Sequence, residues 1–220
     1  KILNKLNTSF SSDKNSFRQL IRARSLQDLF SDHADIVSIY NHAQQIFEDD
    51  PYLLQQMANY ERLRANGSID KAIELLDKAK EISPRDSSIL HSLAVCWRDK
   101  AESSVENHLI NKAINEARGY LRQIVTNWSD NSYVSATFIE LSILYLKHLL
   151  LNNETPAGVI NDNIRKVQQE LTDNKQKYPS DGHVYKLETA FSELINDNSN
   201  AFKALQRSFE ENDREPYLAI

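Results

Sequence analysis

The chain is 220 residues long, and its 40% hydrophobic and 26% charged side chains are ordinary for a soluble globular protein with a sizeable core. Four glycines and five prolines supply too little turn chemistry for an all-β fold, and a formal charge of −5 gives no general attraction to nucleic acid or an anionic membrane. A single cysteine, Cys96, excludes an internal disulfide framework and a cysteine-rich zinc site, so the expected setting is the reducing cytoplasm.

The first segment, KILNKLNTSFSSDKNSF, lacks the uninterrupted apolar core and small-residue cleavage site of a secretory signal. It runs into an amphipathic helical pattern with Phe17, Leu20, Ile21, Leu26 and Phe30 along one side. Lys1, Lys5, Lys14, Arg18, Arg22 and Arg24 outweigh Asp13 and Asp28. Residues 1–34 are therefore expected to form a linker or a capping helix, ahead of an irregular repeat domain over 35–220. The start at Lys1 and the apolar ending REPYLAI lead us to expect a segment of a longer protein.

Further along, Pro51, Pro84, Pro156, Pro179 and Pro216 fall between helical patterns rather than within them, because proline lacks the donor that a helix interior needs. From Ser68 to Pro84 the apolar residues Ile69, Ala72, Ile73, Leu76, Ala79 and Ile82 form the stripe of an amphipathic helix. Lys71, Glu74, Asp77, Lys78 and Glu81 lie on its wet side. Gly67 marks the preceding turn and Ser68 the N-cap. Another helix precedes this one, around DPYLLQQMANYERLRA, and a third follows Pro84 with Asp86 as its cap. Pro51 and Pro84 are 33 residues apart, within the range of helical-pair repeats.

The order Ala72, Leu76, Ala79, Pro84 resembles the second-helix signature of tetratricopeptide repeats: small, large four later, small three later, proline five later. Gly67 fits that family's inter-helix turn. Ile39, Ala43, Ile46 and Pro51 repeat the spacing, as do Ala117, Leu121, Ile124 and Ser129, where serine replaces proline. Val167, Leu171, Asn174 and Pro179 form a weaker copy, and Ala201, Leu205, Ser208 and Asp213 a weaker one still. Small residues let neighbouring helices approach while the large one fills the gap between them.

Two intervals exceed the family's period, the first through AESSVENHLINK, which reads as an extension of both flanking helices. Gln56, Asn59 and Tyr60 also replace the family's usual aromatic, leucine and glycine. The run YVSATFIELSILYLKHLLL approaches the length of a membrane span. Glu140, Lys147 and His148 would be costly in lipid, so a buried helix of a soluble protein is the expectation. The resemblance implies an all-α fold, about ten helices in antiparallel pairs stacked into a right-handed superhelix (an α-solenoid).

Motifs for chemistry are missing. The histidines His33, His42, His91, His108, His148 and His183 have no metal-ligand spacing, and no glycine-rich phosphate loop exists. Cys96 lies in an apolar helical run beside Val95 and Trp97, which favours packing over nucleophilic work. Glu48, Asp49 and Asp50 read as a solvated turn, and the aromatic residues on helical apolar faces as core. We therefore expect no catalytic residue, no metal and no cofactor.

Binding is the function that the resemblance leaves, as a scaffold or sensor segment, with a stand-alone adaptor, an RNA-binding helical repeat or an enzyme as the alternatives. The family's groove-facing first-helix positions map onto Leu54, Met57, Glu61 and Arg64, then Ser88, His91, Val95 and Arg98, then Tyr133, Ala136, Glu140 and Ile143. Of these, Arg64, His91, Arg98, Tyr133 and Glu140 are the expected ligand contacts, with a protein ligand in a concave groove as partner. Arg64 and Arg98 can grip carboxylates or carbonyls, or can each pair with a nearby acid such as Glu61 or Asp99. Met57, Glu61, His91 and Val95 cannot build the cationic clamp with which chaperone-binding members hold a terminal carboxylate. The stretches LIRARSLQDLFSDHADIVSIYNHAQQIFEDDPYLLQQMANYE and AFKALQRSFEENDREPYLAI extend the likeness. The chain resembles the carboxy-terminal repeat regions of large bacterial antiviral defence proteins. Those carry an upstream effector, such as a sirtuin-like domain, and a STAND-class nucleotide-binding module. That resemblance implies a sensor segment whose trigger drives self-association of the parent protein.

Overall fold

The computed structural model describes residues 49–197 apart from 129 and 153, together with 40, 41, 43–45, 47, 200, 203, 204, 207 and 211. The expected segment 1–34, Ile39, His42, Ile46, Glu48, Ser129, the spacing copy begun by Ala201, and Pro216 lie outside this set, apart from the single positions just given. Among the described residues the regular structure is all helical, and seven helices are described from end to end. These are α1 (Pro51–Leu63), α2 (Ile69–Ile82), α3 (Ser87–Ser103), α4 (Asn107–Asn127), α5 (Ser132–Leu151), α6 (Ala157–Lys177) and α7 (Gly182–Leu194).

Local chemistry sets the helix starts. Asp50 accepts from the Tyr52 amide at 3.1 Å with Pro51 following it, and Ser68 accepts from Lys71 N at 3.2 Å. Asp86 accepts from Ser88 N and Ile89 N at 2.8 and 3.3 Å, Asn131 from Val134 N at 3.0 Å, and Asp181 from His183 N at 3.0 Å. Each such cap satisfies an orphan amide and contributes about 1 kcal/mol. Asp50 departs from the solvated turn expected of it, being only 2% exposed, because it closes the buried start of α1. Its neighbour Asp49 takes a left-handed conformation, φ 60°, which a short polar side chain tolerates. The long interval after α3 does extend both helices: α3 has 17 residues and α4 has 21.

The helices fall into two compact units, divided within α3 between Lys100 and Ala101. In the N-terminal unit α1 packs against α2, and side-chain hydrogen bonds join α1 to α3: Gln55 Nε2 reaches Ser88 Oγ at 3.0 Å and Ser92 Oγ at 2.9 Å. Leu53, Ala58, Ala72, Leu76, Ala79, Ile89, Leu93 and Ala94 are fully buried there.

In the C-terminal unit α5 packs on α4, α6 and α7, and α7 also packs on α6. Its core joins Ala136, Ile139 and Leu146 of α5, Val167 and Leu171 of α6, and Val184, Leu187 and Phe191 of α7. By length and composition α5 is apolar enough to cross a membrane, and those three α5 residues face protein.

Candidate binding surface

Arg64 follows α1 as its C-cap, and its guanidinium turns back one helical turn to Glu61. Nε and Nη2 donate to Glu61 Oε2 at 3.1 and 2.9 Å. The second carboxylate oxygen accepts from Lys71 Nζ of α2 at 2.7 Å. Glu61 itself is 0% exposed. Burial pushes its carboxyl upward, but the hydrogen bonds from Lys71 and Arg64, with their charges, prevail and hold it below the ordinary 4.5. A charge removed from water is expensive unless paired and hydrogen-bonded, and here both oxygens are engaged. The groove-facing positions Leu54, Met57 and Glu61 are thus interior, and Arg64 serves the α1–α2 junction.

A second ion cluster joins α1 to α3. Arg98 Nε and Nη2 donate to Asp99 Oδ1 at 3.0 and 2.7 Å, while Arg62 Nη1 donates to Asp99 Oδ2 at 2.7 Å. Lys100 pairs with Asp70 between α3 and α2, and its ammonium lies 5.1 Å from the Trp97 ring centroid. Arg64 and Arg98 both lie in the N-terminal unit, each held by a carboxylate close in sequence, the second of the two arrangements open to them. His91 is half-buried on α3.

Tyr133, at the start of α5, is 57% exposed, and Glu140 two turns on is half-buried. Glu140 Oε1 lies 3.0 Å from His183 Nε2 of α7, a partner that sequence spacing did not connect to it. Ala136 is buried, and Ile143 packs on the core.

The positions singled out for helix packing are interior. Ala72, Leu76, Ala79, Ala117 and Leu121 are all inaccessible to solvent, whereas Pro84 lies exposed in the turn before α3. Buried Val167, Leu171 and Asn174 occupy the same spacing on α6.

Cys96 is fully buried on α3, and loss of hydration pushes its thiol up to about 12, so it is neutral and unreactive at physiological pH. Among the described residues no group of three or more His, Cys, Asp or Glu is placed to hold a metal ion. The sequence had not revealed the Arg62–Asp99 bond or the role of His183. Both contacts link one helix to another, and no local pattern marks them. No family model matches the chain.

Proposed function

We propose that this chain is a tetratricopeptide-like helical-repeat segment that binds a protein ligand and carries no catalysis of its own. One observation carries the reading. The same spacing recurs on every second helix and lands on buried positions each time: Ala72, Leu76 and Ala79 on α2; Ala117, Leu121 and Ile124 on α4; Val167, Leu171 and Asn174 on α6. A repeat whose small residues govern helix approach requires that coincidence. Packing within the C-terminal unit supports it, since α7 rests on both helices of the preceding α5–α6 pair, as stacking of helix pairs into a superhelix demands.

The partner is a polypeptide. The acidic net charge disfavours nucleic acid, and the core contacts of α5 support an interior helix rather than a membrane span. Exposed Tyr133, half-buried His91 and the Glu140–His183 pair supply contacts of the kind that interfaces use. Beside the resemblance to antiviral sensor regions, the segment would recognise a protein trigger on behalf of a larger parent, whose self-association and effector chemistry lie elsewhere.

The test is selection of peptides from a displayed random library on the purified chain, followed by calorimetric titration of the enriched sequences. Saturable one-to-one binding that His91→Ala or Tyr133→Ala weakens about tenfold is the expected result. Failure to enrich any binder, or binding indifferent to both variants, overturns the placement. ATP or NAD turnover that survives repurification and is abolished by a point substitution in this chain overturns the non-catalytic reading.

A further inference from the structure

A cleft of about 350 Å³ opens in the C-terminal unit where the end of α4, the start of α5 and the last turns of α6 meet. None of the groove residues assigned from sequence lines it. Its walls include Val125, Phe138, Asp130, Glu170, Asp173, Asn174 and Lys177.

Two of its side chains carry buried polar atoms with no hydrogen-bond partner. Asn174 is 5% exposed, and both its Oδ1 and its Nδ2 are unsatisfied; one turn earlier on the same helical face, Glu170 Oε2 is buried and equally unsatisfied. Buried polar groups in folded proteins are almost always paired, so three orphan atoms on one wall of one cleft require an explanation.

The other polar groups of the cleft have partners. Asp130 accepts from Ser135 Oγ and from Lys177 Nζ, each at 2.7 Å, and Asp173 Oδ1 accepts from Gln169 Nε2 at 2.7 Å. Glu170 Oε1 has Lys166 at 3.8 Å, and the Arg118 charge lies within range of the same carboxylate. What remains unmet is therefore two acceptors, Asn174 Oδ1 and Glu170 Oε2, and one amide donor.

We propose that this cleft receives an arginine side chain of the protein partner, an inference that rests on the protein-binding reading above. A guanidinium presents several N–H donors in one plane, so it can serve Asn174 Oδ1 and Glu170 Oε2 together, and its weak hydration suits buried acceptors. Three carboxylates against one ammonium among the lining residues favour a cation over an anion. Val125, Phe138 and Ile139 provide an apolar wall for its methylene stem and flat face. Asn174 Nδ2 then donates to a main-chain carbonyl of the same partner segment. The volume, near the lower end for ligand pockets, suits one long side chain rather than a folded element.

The experiment titrates the full isotope-labelled chain with N-acetyl-argininamide and, separately, with the neutral isostere N-acetyl-citrullinamide, following amide shifts by NMR. The expected result is saturable movement of the Asn174 side-chain NH2 and of backbone amides over 170–177, with citrullinamide at least about tenfold weaker. Glu170→Gln should weaken argininamide severalfold without unfolding the chain. Asn174→Ala should weaken it too, while the free protein melts no lower than wild type, because the deleted amide is unpaired. No saturable shift up to about 10 mM argininamide, equal response to citrullinamide, unchanged affinity in Glu170→Gln, or a lower melting temperature in Asn174→Ala would each overturn the proposal. Selected peptides that still bind while argininamide leaves 170–177 unmoved would sink this site and leave the scaffold reading standing.

Discussion

Replacing Gly67 and Gly119 by alanine is the same chemical change, yet the two substitutions should move stability in opposite directions. Gly67 closes the α1–α2 turn, its amide donating to Arg64 O at 3.0 Å. A Cβ added there meets the Glu61 carbonyl oxygen at 1.7 Å and its carbon at 2.8 Å, both far inside van der Waals contact. No described glycine has positive φ, so the constraint at Gly67 is steric rather than conformational. The obstacle is backbone, and the turn itself must shift. Overpacking costs about 1–3 kcal/mol, and disturbing the turn hydrogen bond about 1 kcal/mol more. Reduced freedom of the unfolded chain returns about 0.4–1 kcal/mol. Gly67→Ala should therefore destabilise by about 1–3 kcal/mol, a fall of roughly 2–12 °C for a chain of this size. Gly119 lies inside α4 with nothing within 4 Å of its added Cβ. There alanine removes the helix penalty of glycine and should stabilise by about 0.5–1 kcal/mol. Thermal melts followed by far-UV circular dichroism read both. A Gly67→Ala melting temperature at or above wild type, or a clear loss in Gly119→Ala, refutes the reasoning.

Three further outcomes follow from buried groups. Ala72→Leu, at a fully buried position of α2, should cost about 1–3 kcal/mol by overpacking; an unchanged denaturant midpoint would show that α1 and α2 do not meet there. Glu61 has its folded-state pKa depressed, so its contribution is complete above the unfolded value near 4.5 and lost as pH falls through the lower folded value. The stability gap between wild type and Glu61→Gln should then shrink as pH drops below about 4.5, and a gap constant with pH contradicts the assignment. Cys96 should resist alkylation in the native state at neutral pH and react at once in denaturant; fast native labelling would place the thiol at the surface.

Helix by helix, the sequence alone determined what depends on near neighbours. The caps at Ser68 and Asp86, the placing of Pro84, Pro156 and Pro179 between helices, and the buried stripe through Ala72, Leu76 and Ala79 were all legible. A cap reaches two or three residues, and an amphipathic stripe repeats every turn. The shortage of glycine argued against an all-β fold, and the resemblance to helical repeats implied the all-α class. Tertiary structure decided which charged groups would lose their water. Glu61 occupies a position the repeat pattern assigns to an open groove, yet it is fully buried because Lys71 of the next helix and Arg64 of the turn converge on it. Asp99 binds its neighbour Arg98 and also Arg62 of α1, while Glu140 meets His183 of α7. Asn174 stands in sequence as a poor copy of a small packing residue, and only the packed helices reveal its amide as unpaired on the wall of a cleft. Electrostatic energy depends on burial and on the distance between groups far apart in the chain, and neither quantity is written in a local pattern.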